Sequence, residues 1–151
     1  MLDSLKKILF GDEQKPDVSP EHEVQFAVAV LLAEAATMDG AIDDAETKRI
    51  RELLVTHFGL SLAEAAQLMG EADAALANRV ELYGPSRVLK DALDYPQRIE
   101  LIEMLWDVVY ADGVVHDYEA NLMRRLGGLL FVDDQDSGTA RKRVLERRGL
   151  A

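Results

Sequence analysis

The chain has 151 residues, of which 48% are hydrophobic and 30% charged, with a formal net charge of −11 and no cysteine. That length fits one domain with a single core, and the mix is that of a folded chain rather than a disordered one. The missing cysteines exclude disulfides, thiolate metal sites and thiol nucleophiles, and the acidic balance argues against nucleic acid, whose binders neutralise phosphates with Lys and Arg.

Periodicity predicts helices from end to end. Asp3 to Phe10 is a short amphipathic stretch with Leu2, Leu5 and Leu9 on one face, and residues 11–18 are a polar linker. Ser19-Pro20 opens the second helix, Ser as a good N-cap and Pro as a good first-turn residue, and its apolar pattern runs to Met38. A third helix spans about Asp44 to His57, with Gly59 placed to close it in the left-handed conformation. Ser61 and Glu64 form a capping-box pattern for an alanine-rich fourth helix to about Asn78.

Tyr83-Gly84-Pro85-Ser86 breaks the chain, and a short fifth helix follows from Ser86 to Leu93. Tyr95-Pro96 starts a sixth, with Ile99, Ile102, Leu105, Trp106 and Val109 on a wide apolar stripe. A seventh covers about Asp117 to Leu130, and the basic tail is an eighth. No segment alternates at period two between hairpin turns, so the expected fold is all-α. The expected organisation is an amphipathic segment and linker over 1–18, then a domain over 19–151.

One motif occurs twice, 73 residues apart. Its first copy runs from Met38 through Asp39-Gly40, Ile42, Asp43 and Asp44 to Glu46; the second runs from Ala111 through Asp112-Gly113, Val115, His116 and Asp117 to Glu119. Glu34 and Asp107 stand five residues before each Asp-Gly. Each copy reads as the turn of a helix hairpin. The glycine ends one helix at positive φ, the aliphatic residue plugs the turn into the core, and the acids cap the next helix. The repeat, about 24–57 and 97–130, predicts seven to eight helices built from two hairpins related by a pseudo-two-fold axis.

Asp39 and Asp112 then face the negative end of a helix dipole, which costs roughly 0.3–1 kcal/mol when exposed and calls for a compensating partner. Hydrogen bonds from the following helix would serve. So would a divalent cation such as calcium or magnesium, held by Asp39, Asp43, Asp44 and Glu46 in one copy and by Asp112, His116, Asp117 and Glu119 in the other. From the Asp-Gly onward both copies match the later half of an EF-hand loop. The first and third ligand positions, however, fall on Ala35 and Thr37, and on Val108 and Tyr110, so an EF-hand is not expected.

These helices ending in Asp-Gly, and above all the string Leu105-Trp106-Asp107-Val108-Val109-Tyr110-Ala111-Asp112-Gly113 with Glu119 and Leu126 downstream, resemble the TerB-like family of tellurite-resistance proteins. The resemblance covers about Ser19 to Val132. It implies a compact helical domain with internal pseudosymmetry and an acidic cluster for cations, in which Asp39, Glu46, Asp112 and Glu119 are the motif acids. His116 departs from the acidic or polar residue often found there. By the same resemblance the expected setting is a tellurite, metal or general stress response.

The charge is uneven. The last eleven residues carry Arg141, Lys142, Arg143, Arg147 and Arg148 against Glu146 alone, leaving 12 basic and 27 acidic side chains, a charge of −15, on the rest. A basic final helix lying against an acidic body, or simply solvated, is one reading, and a surface for an anionic partner is the other.

Enzymatic signatures are missing. His22, His57 and His116 form no ligand pair at helical spacing, there is no glycine-rich phosphate loop, and no nucleophile with a matched base stands out. The expectation is a non-enzymatic domain with no nucleic acid partner. Its alternative role is that of a helical adaptor binding protein partners or an inner-membrane surface through the amphipathic 1–10 segment and the basic tail. No apolar run reaches the roughly 18 residues of a membrane span, and the first residues lack a secretory signal pattern. The expected location is cytoplasmic, with peripheral membrane attachment as the variant.

Overall fold

A computed structural model of the chain describes residues 19–36, 44–78, 83–113 and 119–150, without the side chains of Tyr83 and Glu119. Every element among them is an α-helix: α1 (Pro20–Ala36), α2 (Asp44–Phe58), α3 (Leu62–Ala77), α4 (Tyr83–Ala92), α5 (Tyr95–Val109), α6 (Glu119–Leu129) and α7 (Asp134–Arg147). The predicted first helix, Asp3 to Phe10, and the linker after it lie outside the described residues.

Local chemistry sets most of the boundaries. The Ser19 hydroxyl accepts from the His22 amide (3.0 Å) at the start of α1. Ser61 and Glu64 close a reciprocal capping box on α3, and Asp94 and Gln97 do the same for α5, with Pro96 in its first turn. Gly59, at φ +66°, follows α2 as its spacing predicts. Helix α4 departs from expectation: it begins at Tyr83 rather than Ser86. Gly84-Pro85 reads as a break, but proline is tolerated in a first helical turn, where the amide it lacks would have no intrahelical partner.

The core gathers around α1, whose run Ala27–Ala33 is buried on all sides. This helix packs against α2, α3, α4 and α5. A helix that is apolar around its whole circumference belongs in the middle of a bundle. Helix α5 is the second buried strut, contributing Leu101, Ile102, Leu105, Trp106, Val108 and Val109. Its outer side is covered by α7, and α6 lies against α4, α5 and α7. No helix among the described residues is long and apolar enough to cross a membrane.

Candidate functional site

The acids at and beside the doubled turn fall into two groups. The first group, set back along the helices, is neutralised by arginine. Asp107 is 2% exposed in the last turns of α5. Its Oδ2 accepts from Arg49 of α2 at both Nε (3.0 Å) and Nη2, and its Oδ1 accepts from Arg148 Nε (2.6 Å). Arg147 Nη2 adds its charge at 3.9 Å. A buried carboxylate is tolerable only when its charge and lone pairs are both satisfied, and three guanidiniums do so here. Burial works against the charge on Arg49, yet its hydrogen bond and charge contact with Asp107 outweigh that and push its pKa up. In the other half, Glu34 of α1 is engaged by Arg125 Nη2 of α6 (3.1 Å) on a more exposed flank.

Each of these acids is thus held by an arginine from the opposite half of the repeat: the α5 acid by α2, and the α1 acid by α6. Sequence reasoning placed Glu34 and Asp107 about one turn before the turns, but not their partners. The only sequence signal was the presence of Lys48-Arg49 and Arg124-Arg125 in the helices that follow each turn.

The second group is the turn itself. Asp112 is half-buried and lies two residues beyond Tyr110, the C-cap of α5, so it sits in the turn rather than in the helix. The Gly113 amide bonds the Tyr110 carbonyl (2.9 Å), and Gly113 has φ +79°, the left-handed conformation expected of it. Asp44 is the exposed first residue of α2, and Glu46, in the same first turn, is buried. A carboxylate there faces the positive end of the helix dipole and the free amides of the first turn. Glu119 opens α6, with its side chain outside the described set. Asp39, Asp43, His116 and Asp117 also lie outside the described residues, as does Gly40. Among the described residues no three acids or histidines converge as a metal site. The described candidates, Asp44, Glu46 and Asp112, carry carboxylate oxygens, the hard ligands that calcium and magnesium take.

The basic tail has a definite place. Helix α7, N-capped by Asp133, lays its arginines along α5. Arg143 Nε and Arg147 Nη1 reach the two carboxylate oxygens of Glu103 at 2.9 and 2.8 Å, and Arg148 reaches Asp107. Burial raises the pKa of Glu103, but hydrogen bonds from Arg147 and Arg143 and their charges overcome this and hold it below the usual glutamate value. Arg141 Nε donates to the Tyr110 hydroxyl (2.7 Å), and its guanidinium lies over the Trp106 and Tyr110 rings. Trp106 Nε1 donates to both the carbonyl and the hydroxyl of Ser137. The structure thus lays the tail against an acidic and aromatic face of the same chain, as the first reading of it expects.

The described residues define an all-helical domain with two buried helices, α1 and α5, and an ionic seam that joins α5 to α2 and α7. A family model described as "Tellurite resistance protein TerB" matches residues 25–142, most of the chain, and the protein belongs to that family. A crystal structure of a Porphyromonas gingivalis W83 protein of unknown function shares the fold. It has a TM-score of 0.61 at 16% identity, covering 80% of this chain and 89% of that one. No curated protein matches the chain.

Proposed function

We propose that this TerB-family domain is non-enzymatic and binds divalent cations through its doubled acidic turn, in a tellurite, metal or general stress response. The observation that carries the reading is the position of Asp112. It stands just past the carboxyl end of α5, in a turn fixed by left-handed Gly113. A cation at that point is favoured twice, by the carboxylate and by the last carbonyls of the helix. In this reading Asp39, Asp43, Asp44 and Glu46 serve one turn, and Asp112, His116, Asp117 and Glu119 the other. Calcium and magnesium are the first ions to try, by the oxygen chemistry of the donors.

The test is thermal unfolding of the fully chelated protein, then with calcium, magnesium, manganese or zinc added. A bound ion stabilises by mass action, about 2.7 kcal/mol at a hundredfold excess over its dissociation constant. The shift should disappear in the Asp39→Asn, Asp112→Asn double variant. An unchanged melting temperature with all four ions removes the cation reading.

A second reading, an adaptor for protein partners or an inner-membrane surface, rests on the amphipathic stretch within residues 1–10. The basic tail also belongs to that reading, since Arg143 and Arg147 stay about half exposed where they meet Glu103. Co-sedimentation with anionic vesicles, comparing the full chain with one lacking the first ten residues, decides the membrane form. Equal partitioning of the two eliminates it.

A further inference from the structure

Helices α6 and α7 end in the same hydrogen-bonded device, built once with a glycine and once without. At the end of α7, the Leu150 amide reaches the Leu145 carbonyl (2.8 Å) and the Gly149 amide reaches Glu146 (3.1 Å), with Gly149 at φ +72°. At the end of α6, the Val132 amide reaches the Gly127 carbonyl (2.9 Å) and the Phe131 amide reaches Gly128 (3.2 Å). The residue that must adopt positive φ there is Phe131, at φ +58°, the one non-glycine in that region among the described residues. This is the Schellman closure, whose left-handed position glycine fills without a steric penalty and a bulky side chain fills only under strain. The Phe131 ring gains little from burial in return, being 65% exposed with Lys90 Nζ 4.6 Å from its centroid.

The strain lies in the short connector that carries α7, over residues 130–133. Helix α7 has a narrow apolar contact, Ala140 and Val144 in the core with Leu145 packed against it, flanked by charge and hydrogen bonds. Only Ser137, Ala140 and Val144 of its residues are buried, while Arg141, Arg143, Arg147 and Arg148 make the polar contacts to α5. The face beneath it is complementary in kind, with Glu103 and Asp107 among the Trp106 and Tyr110 rings. A face built to take this helix takes it equally well from an identical chain.

We propose that α7 is exchangeable between two copies of this chain: Phe131 relaxes to negative φ, the connector opens, and each α7 docks on the α5 of the other copy. The second copy is the one occupant for which every contact is already specified, because the swapped interface repeats those made within the chain. A short connector under strain is the recognised structural condition for such exchange.

The test uses charge-swapped full-length chains. One carries Glu103→Arg, and the other carries Arg143→Glu and Arg147→Glu. These side chains are only partly buried, so the substitutions leave the core intact. In an exchanged pair the reversed α5 meets the reversed α7 and the native faces meet each other. Refolded together from guanidinium, the two should give a heterodimer by size-exclusion chromatography with light scattering, while each alone gives mostly monomer. A mixture that stays monomeric, or dimers formed as readily by each variant alone, overturns the proposal.

The native hinge gives an independent reading. Phe131→Ala and Phe131→Gly both remove the ring, but only glycine removes the strain. After refolding at high concentration, the dimer-to-monomer ratio of the glycine variant should fall below that of the alanine variant by about fivefold for each hinge relaxed. Equal ratios overturn the proposal.

Discussion

At the scale of single residues, Asp107 shows how burial decides what a charge is worth. Its carboxylate is nearly inaccessible and faces arginines from α2 and from the end of α7, whereas Glu34 meets Arg125 on an open flank. Removing one partner of a buried pair strands the others, and exposed pairs contribute little. Asp107→Asn should therefore cost about 3 kcal/mol in urea unfolding, towards the low end for buried pairs because Arg49 and Arg148 can still reach water. Glu34→Gln should cost less than about 1 kcal/mol. Equal costs would remove Asp107 from its place as the hub of the seam. The importance of Asp107 was half legible in the sequence. Its spacing from Asp112 singled it out, but Arg49 lies 58 residues away and Arg148 lies 41. Contacts at such separations leave no local pattern to read. The strain at Phe131 was hidden for a related reason: a phenylalanine carries no local signal for positive φ, which the closure of α6 imposes on it.

At the scale of elements, legibility follows the range of the contact. Ser61 with Glu64, and the caps of α1 and α5, act across three residues and could be read directly from the chain. Helix α4 began earlier than expected because the same Gly-Pro pair serves equally as a break or as a first turn, and tertiary packing on α1 and α6 selects the second. The docking of α7 was anticipated in sign, basic against acidic, but not in address. Its dependence on Glu103 gives a pH signature. The folded state holds the Glu103 pKa below its unfolded value, so its contribution to stability is complete above the ordinary glutamate value of about 4.3 and is lost as pH falls through the lower folded value. Melting temperatures of wild type and Glu103→Gln should therefore differ above pH 5 or so and converge as the solution is acidified below about 4. A gap that stays constant to low pH would show that Glu103 acts by packing and not by charge.

At the scale of the whole molecule, a net charge of −11 is partly taken up by contacts within the chain. Carboxylates along α1 and α5 are matched by arginines brought from distant parts of the chain, so part of the acidity is absorbed into the architecture. Among the described turn acids, Asp112 stands just past the end of α5, and Asp44 and Glu46 stand in the first turn of α2, where helix dipoles act on them. The cation reading proposed above concerns the turns and not this seam. It also predicts that an ion acting at the turns will stabilise wild type and Glu103→Gln to the same extent, because distant, independent sites add. Unequal stabilisation would show the two regions to be coupled.

Trp106 is the chain's single tryptophan, and its indole N–H is spent on the Ser137 backbone and hydroxyl of α7. The protein consequently carries one intrinsic fluorophore, placed where a single helix meets the rest. Its emission maximum reports the hydration of that seam, while far-ultraviolet circular dichroism reports all the helices together. Departure of α7 ahead of global unfolding should appear as a red shift at lower denaturant concentration than the loss of ellipticity. Coincident transitions would mean that the helix and the body melt as one unit.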